Sequence, residues 1–322
     1  MRIPSTARYG SRATRKDSLS LTCRDRGAPA GAEITPVEPD PGNAGEGRQL
    51  VPRALTIATS DSGGGAGIQA DLKAFAAAGV HGTSVLVALT AQNTTAVTDV
   101  YELPPEFVVA QLDAVFSDIG ADAAKTGMLF SRTLIETVAD FLDDHRVPLV
   151  VDPVMVASSG ARLLQEDAVE SYVTRLFPLA AVVTPNLAEA HVLAEIPLQQ
   201  SVAKSDLAER IVARGAPAVI VTGGHGDCVD HLFDGHAHVE ISVPRHAVPA
   251  THGAGCTHSA TLAAHLARGA PLVDAARAAA TAASDAVAHG LADLGAGEGP
   301  VDVLHVKERD AAFPRSEPAR TA

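Results

Sequence analysis

Tryptophan is absent from the chain, and aromatic residues make up only 3% of it. Any core must therefore be built from Ala, Val and Leu rather than from rings. Cysteine is scarce as well: Cys23, Cys228 and Cys256 are odd in number and cannot close a disulfide framework, which points to a reducing, cytoplasmic setting. Positive charge is in deficit, with 25 Lys+Arg against 38 Asp+Glu and a net charge of −13. A nucleic-acid binder carries a basic face, so no nucleic-acid partner is expected. No apolar run approaches the ~18 residues that span a bilayer, so no membrane partner is expected either. What is present is 46% hydrophobic residue in a chain of 322, which excludes collagen-like, coiled-coil and wholly disordered chains. That length suits two domains or one large α/β domain.

Residues 1–50 stand apart: Arg2, Arg8, Arg12, Arg15, Lys16, Arg24 and Arg26 face only Asp17 and Asp25, and a Pro/Gly/Glu-rich stretch follows. The segment has no sustained apolar periodicity, so it reads as a disordered or non-native extension, with an Arg/Ser-rich transit peptide as the alternative. Residues 51–307 form the expected folded domain and 308–322 a disordered tail. Within the domain, short β-branched runs predict strands at 55–58, 84–89, 123–126, 149–151, 181–184 and 218–222. Ala/Leu-rich runs predict helices at 68–78, 105–117, 131–144, 165–175, 187–194, 204–214, 257–267 and 272–289. Strands that are apolar throughout, spaced by helices, imply an α/β fold with a doubly wound, mostly parallel sheet covered on both faces. Runs at 228–233 and 236–241, split by Asp234-Gly235, predict a small added hairpin. Ligands of such a sheet bind at the carboxyl ends of its strands.

Two glycine-rich segments lie at those ends. Ser60-Asp61-Ser62-Gly63-Gly64-Gly65-Ala66-Gly67 follows the first strand and opens a helix that carries Asp71. Free N–H groups there favour polar or anionic ligands, although the spacing is neither a dinucleotide fingerprint nor a P-loop. His252-Gly253-Ala254-Gly255-Cys256-Thr257 runs into another helix, so backbone N–H groups should converge at Cys256 as an anion hole suited to a transferring phosphoryl group. A thiol at a helix N-terminus has its pKa lowered, which would make Cys256 a thiolate; the alternative is a small buried hydrophobe in a turn. Other strand ends carry Thr90-Ala91-Gln92, Lys125-Thr126-Gly127-Met128, Asp152-Pro153-Val154 and Thr184-Pro185-Asn186 with Glu189. A Gln amide pairs with a ring nitrogen and an exocyclic amine, and Asp152, Asn186 and Glu189 are oxygen donors of the kind Mg²⁺ accepts; each is equally readable as turn chemistry. His225, His231, His236 and His238 cluster near the hairpin without the spacing of a metal site.

In this order the segments resemble the ribokinase-like superfamily, and within it the hydroxymethylpyrimidine/phosphomethylpyrimidine kinases of thiamine biosynthesis, over residues 54–289. The resemblance implies a homodimeric kinase that uses Mg-ATP to phosphorylate 4-amino-5-hydroxymethyl-2-methylpyrimidine and then its monophosphate. It implies that Gln92 binds the aminopyrimidine edge, with Ala66, Asp71, Met128 and Val154 lining the pocket. Gly253, Ala254, Gly255 and Cys256 would form the catalytic anion hole; Thr184, Asn186, Thr222 and Gly223 would bind ATP; Asp152 and Glu189 would hold the metal. Thr59, Ala254, Thr222 and Ser158 depart from the family pattern, the last two where Lys is common. The alternatives are a pyridoxal or pyridoxine kinase of the same superfamily, and a pyrimidine-binding homologue impaired in catalysis. A cysteine hydrolase using Cys256 with His252 or His258 lacks an orienting acid nearby in sequence.

Overall fold

The computed structural model describes residues 51–155, 168–224 and 226–309. Ser158, His225, residues 1–50 and all of the expected 308–322 tail but Glu308 and Arg309, which end a short helix, lie outside them. Nine strands form one sheet in the order β3-β2-β1-β4-β5-β6-β7-β8-β9. They are β1 Arg53–Asp61, β2 His81–Gln92, β3 Val97–Glu102, β4 Ala123–Thr126, β5 Leu149–Val151, β6 Val182–Val183, β7 Val219–Val221, β8 Val229–Phe233 and β9 His238–Ser242. The six strands from β2 to β7 in that order are parallel, while β3 pairs antiparallel with β2 at one edge, and β8 pairs antiparallel with both β7 and β9 at the other.

The central strands are apolar throughout because alternate residues feed two different cores. Leu149 and Val151 of β5 pack with α2 Pro105–Ala114, α3 Arg132–Asp144 and α6 Lys204–Ala213, and with Tyr172 and Phe177 beyond the short α4 Val169–Ser171. Val150 points the other way, into a core shared with α1 Gly67–Ala77, α7 Ala254–Ala267 and α8 Leu272–Ala288. That second core is rich in alanine: Ala275, Ala276, Ala279 and Ala280 of α8 meet Ala260, Ala263 and Ala264 of α7. Small side chains let both helices lie close to the sheet and to each other, which is how a chain poor in aromatics still closes its core.

The doubly wound arrangement and the hairpin follow the sequence expectation. Three details do not. β3 lacks an apolar run; mostly exposed Val97, Thr98, Asp99 and Tyr101 earn strand conformation by pairing with β2 at the edge. The helix expected at 105–117 stops at Ala114 and widens into a π turn, Val115–Ile119, ended by Gly120 at φ +70°. The helix expected from 257 starts at Ala254, because Gly253 at φ +85° turns the chain directly into it. Cys256 is thereby inside the first helical turn.

Sequence neighbours of β1 separate to its two sides, β2 on one and β4 on the other, so a crevice opens beyond their carboxyl ends. No helix among the described residues is long and apolar enough to cross a membrane.

Candidate active site

The turn after β1 is organised by its own aspartate. One Asp61 carboxylate oxygen accepts the Gly63 N–H at 2.7 Å; the other accepts those of Gly65 at 3.0 Å and Ala66 at 2.8 Å. The Gly64 N–H goes to the Asp61 carbonyl. The amides expected to await an anionic ligand are thus satisfied within the protein, and the sequence expectation is corrected here. Burial alone would push the Asp61 carboxyl up, but His252, whose Nε2 lies 3.3 Å away, and the Ala66 and Gly63 amides outweigh it and hold it below the usual carboxylate range. His252 Nε2 also lies 3.4 Å from the side-chain nitrogen of Gln92, the last residue of β2. The Gln92 side-chain oxygen is 3.2 Å from the Thr90 hydroxyl. Gln92 is half-buried, and both atoms of its amide have partners within the protein.

Beneath the crevice lies a buried charge cluster. Lys125, on β4, is wholly buried; its Nζ lies 2.8 Å from Asp71 and 3.6 Å from Asp152. Thr56 donates to the other Asp71 oxygen at 2.6 Å, and Ser259 of α7 donates to Asp152 at 2.7 Å. Burial disfavours the ammonium, yet the charges of Asp71, Cys256 and Asp152 overcome it and raise the Lys125 pKa. Asp71 is pushed up, since its burial outweighs the pull of Lys125 and Thr56. Asp71, expected to line the pocket, is wholly buried with both oxygens engaged. Cys256 lies beside the same charges. Burial, with Asp71 and Asp152 adding to it, pushes its thiol up to about 12 despite Lys125. The thiol is thereby favoured over the thiolate expected from a helix N-terminus, while part of the residue keeps solvent access.

The start of α7 closes the other side. A side chain at Gly253 would place its Cβ 1.8 Å from the Gly65 carbonyl, so only glycine lets the two glycine-rich turns meet. Ala254 N–H is spent on the Thr251 carbonyl, and Thr257 N–H on that of Gly253. Within the expected anion hole this leaves the Gly255 and Cys256 amides with no backbone acceptor among the described residues, and removes Ala254 from the donor set.

A second shell of expected residues lines the ends of β5, β6 and β7. Asn186 caps α5 Leu187–Leu193: its side-chain oxygen accepts the Glu189 N–H at 3.0 Å, and Glu189 returns a bond to the Asn186 N–H at 2.9 Å. The other Glu189 oxygen accepts the Met155 N–H at 3.3 Å. Glu189 is buried, and that burial, with Asp152 nearby, raises its carboxyl to about 8. Thr222 bonds back to the Pro185 carbonyl, and the Gly223 N–H donates to Asp230 at 2.8 Å. Asp230 also lies 3.0 Å from His258 Nε2; burial would raise its pKa, but His258 and the Gly223 amide hold it low. Thr184 is buried at the end of β6, Met128 receives the Thr59 hydroxyl on its carbonyl, and Val154 and Ala66 are half-buried at the rim.

The model of the phosphomethylpyrimidine kinase family matches residues 61–302, most of the chain. The chain belongs to that family. The kinase is 48% identical over 257 residues to a hydroxymethylpyrimidine/phosphomethylpyrimidine kinase of Rhizobium meliloti, covering 78% of this chain and 97% of that protein. It is 47% identical over 311 residues to a thiamine biosynthesis bifunctional protein of Geobacter sulfurreducens, covering 92% of this chain but only 63% of that longer protein. Among solved structures it resembles a Bacillus subtilis pyridoxal kinase in complex with ADP, with TM-score 0.74, 36% identity, and coverage of 80% of this chain and 99% of that one.

Sequence reasoning did not single out Lys125, Asp61 or Ser259 of this kinase. Lys125 is a lone cation inside an otherwise apolar strand, a signal in itself, since a buried Lys needs a carboxylate partner. Asp61 carries a weaker cue, an acid directly before a glycine run that can fold back around it. Ser259 has none, being one small polar residue in an Ala-rich helix.

Proposed function

We propose that this kinase transfers the γ-phosphoryl group of ATP to the hydroxymethyl oxygen of 4-amino-5-hydroxymethyl-2-methylpyrimidine and then to the phosphate oxygen of the resulting monophosphate, releasing ADP each time and supplying the diphosphate to thiamine biosynthesis. The observation that carries it is Gln92 at the end of β2, within the residues the family match spans: its amide would exchange Thr90 and His252 for the acceptor and donor of an aminopyrimidine edge. Gly255 and Cys256 amides at the start of α7 stabilise charge on the transferring group, and the Gly253 turn fixes their direction. Asn186, Thr184, Thr222 and Gly223 border the nucleotide, with Asp230 and His258 holding the Gly223 amide in place.

The raised carboxyl of Glu189 beside Asp152 suits a divalent cation, which would relieve the repulsion that burial intensifies. Mg²⁺ held by Asp152 and Glu189 would neutralise phosphate charge. With Cys256 protonated, phosphoryl transfer rests on positioning and on these fixed dipoles, as a loose transition state permits. We place the kinase in the cytoplasm as a homodimer; two exposed rings, Tyr101 on the edge strand β3 and Phe107 on α2, at 64% and 54% accessibility, support self-association.

The test is ATP consumption with the pyrimidine alcohol, its monophosphate, pyridoxal, or no acceptor. Turnover with both pyrimidines is expected. Consumption with pyridoxal alone would transfer the reading to the pyridoxal kinases, and none with any acceptor would leave a binding protein.

A further inference from the structure

Away from the crevice, the carboxyl end of α8 carries a group of ligands that the phosphoryl-transfer reading does not use. Asp285 and His289 stand one helical turn apart, and His305 and Glu308 approach them from the segment that leads into α9 Val306–Arg309. His305 Nε2 lies 2.7 Å from Asp285 Oδ2, and its Nδ1 lies 3.4 Å from Glu308 Oε2. His289 Nε2 lies 3.6 Å from Glu308 Oε1. The two imidazoles stack with centroids 4.1 Å apart, and one donor atom each from Asp285, His289 and His305 falls within a 4.8 Å span.

We propose that His289, His305 and Glu308 form a surface site for a divalent transition-metal ion, with zinc(II) as its probe and Asp285 orienting both imidazoles from behind. Zinc bound to nitrogen and oxygen at about 2.1 Å in a tetrahedron sets its donors about 3.4 Å apart, close to the 3.6 Å from Glu308 to His289 Nε2 and the 3.4 Å from Glu308 to His305 Nδ1, while Asp285 holds the other nitrogen of His305 at 2.7 Å. His289 is already set for ligation: its Nδ1 lies 2.9 Å from the Asp285 carbonyl, which fixes that nitrogen as the donor and leaves Nε2 with a free lone pair facing Glu308. His305 is held at φ +52°, a conformation unusual for a residue other than glycine, with its ring against Asp285. Two imidazoles with a carboxylate favour zinc, nickel or copper over magnesium, which takes oxygen alone. This separates the site chemically from the Asp152 and Glu189 pair. A bound ion would fasten the 302–309 segment to α8, where at present the Asp302 N–H holds it to the Ala286 carbonyl. The same stretch pairs with His252 at the crevice through the Val301 N–H.

The test is competition of the full chain with a chromophoric chelator for zinc(II) at neutral pH, with no nucleotide or acceptor present. Wild type should take up one equivalent. His289→Ala and His305→Ala should each weaken that binding by at least about tenfold. Cys256→Ser should leave it unchanged, and cobalt(II) in the site should show no thiolate charge-transfer band. Metal-free melting and basal phosphoryl transfer of the His305→Ala chain should match wild type; if it does not fold, Asp285→Asn takes its place. Absence of tight zinc binding in wild type, equal affinity in the double variant His289→Ala/His305→Ala, or loss of binding in Cys256→Ser would each overturn the proposal.

Discussion

Replacing Lys125 with Met removes the one cation in the buried cluster while roughly keeping its volume. Asp71, which lies 2.8 Å from the ammonium, and Asp152, at 3.6 Å, would then face each other without a countercharge in a region closed to solvent. Breaking one side of a buried ion pair costs about 3–5 kcal/mol. In a domain of this size each kcal/mol moves Tm by about 2–4 °C, so the expected loss is about 6–20 °C. The pH dependence has a definite sign. Asp71 already sits above its ordinary pKa through burial, and loss of Lys125 removes the strongest influence that lowers it. A carboxyl whose folded pKa exceeds its unfolded value binds more protons in the native state, so the variant gains stability as pH falls toward the unfolded carboxylate range. In wild type the raised Lys125 pKa means that its contribution is intact at neutral pH and is lost only as alkaline pH rises through the folded value. Melting by circular dichroism from mildly alkaline to mildly acidic pH measures both effects. The double variant Lys125→Met/Asp71→Asn should recover part of the loss, because one uncompensated carboxylate has gone. A single variant that melts within about 2 °C of wild type, with no gain on acidification, would refute the charge-cluster argument.

Gln92→Leu should raise KM for the pyrimidine by about 5–150-fold, from about 1–3 kcal/mol per unpaired polar group, and leave KM for ATP unchanged; equal pyrimidine KM would remove Gln92 from the pocket. Gly253→Ala drives a Cβ into the Gly65 carbonyl at a residue with φ +85°, so both half-reactions should fall together, along with Tm. Cys256→Ala should slow the alcohol and monophosphate steps to a similar extent, since burial pushes the thiol up to about 12 and leaves little thiolate at neutral pH. A loss confined to the alcohol step, measured on each half-reaction separately, would restore Cys256 as the base.

Local pattern was sufficient for much of this protein. Apolar runs alternating with Ala-rich amphipathic runs dictate a parallel sheet covered on both faces, because strands such as Leu149–Val151 must satisfy two cores at once. Strand ends rich in Gly, Asn and Gln mark the face where a ligand binds, and Gln92 does stand at the end of β2. The edge strand β3 was not legible, since its conformation comes from hydrogen bonds to β2 rather than from its polar side chains.

The division is sharper at the site. Sequence showed which residues have reactive or binding groups but not which of those groups are already spent. Asp61 occupies the amides of its own glycine turn, Asp71 has both oxygens engaged by Thr56 and Lys125, and Ala254 donates to Thr251. Above all, the ionisation of Cys256 is a property of its surroundings. A helix N-terminus is visible in sequence and favours thiolate, whereas desolvation and the approach of Asp71 and Asp152, distant in the chain, exist only after folding and reverse the sign. Residue type and spacing are set along the chain, but solvation and charge balance are set by what the fold brings together.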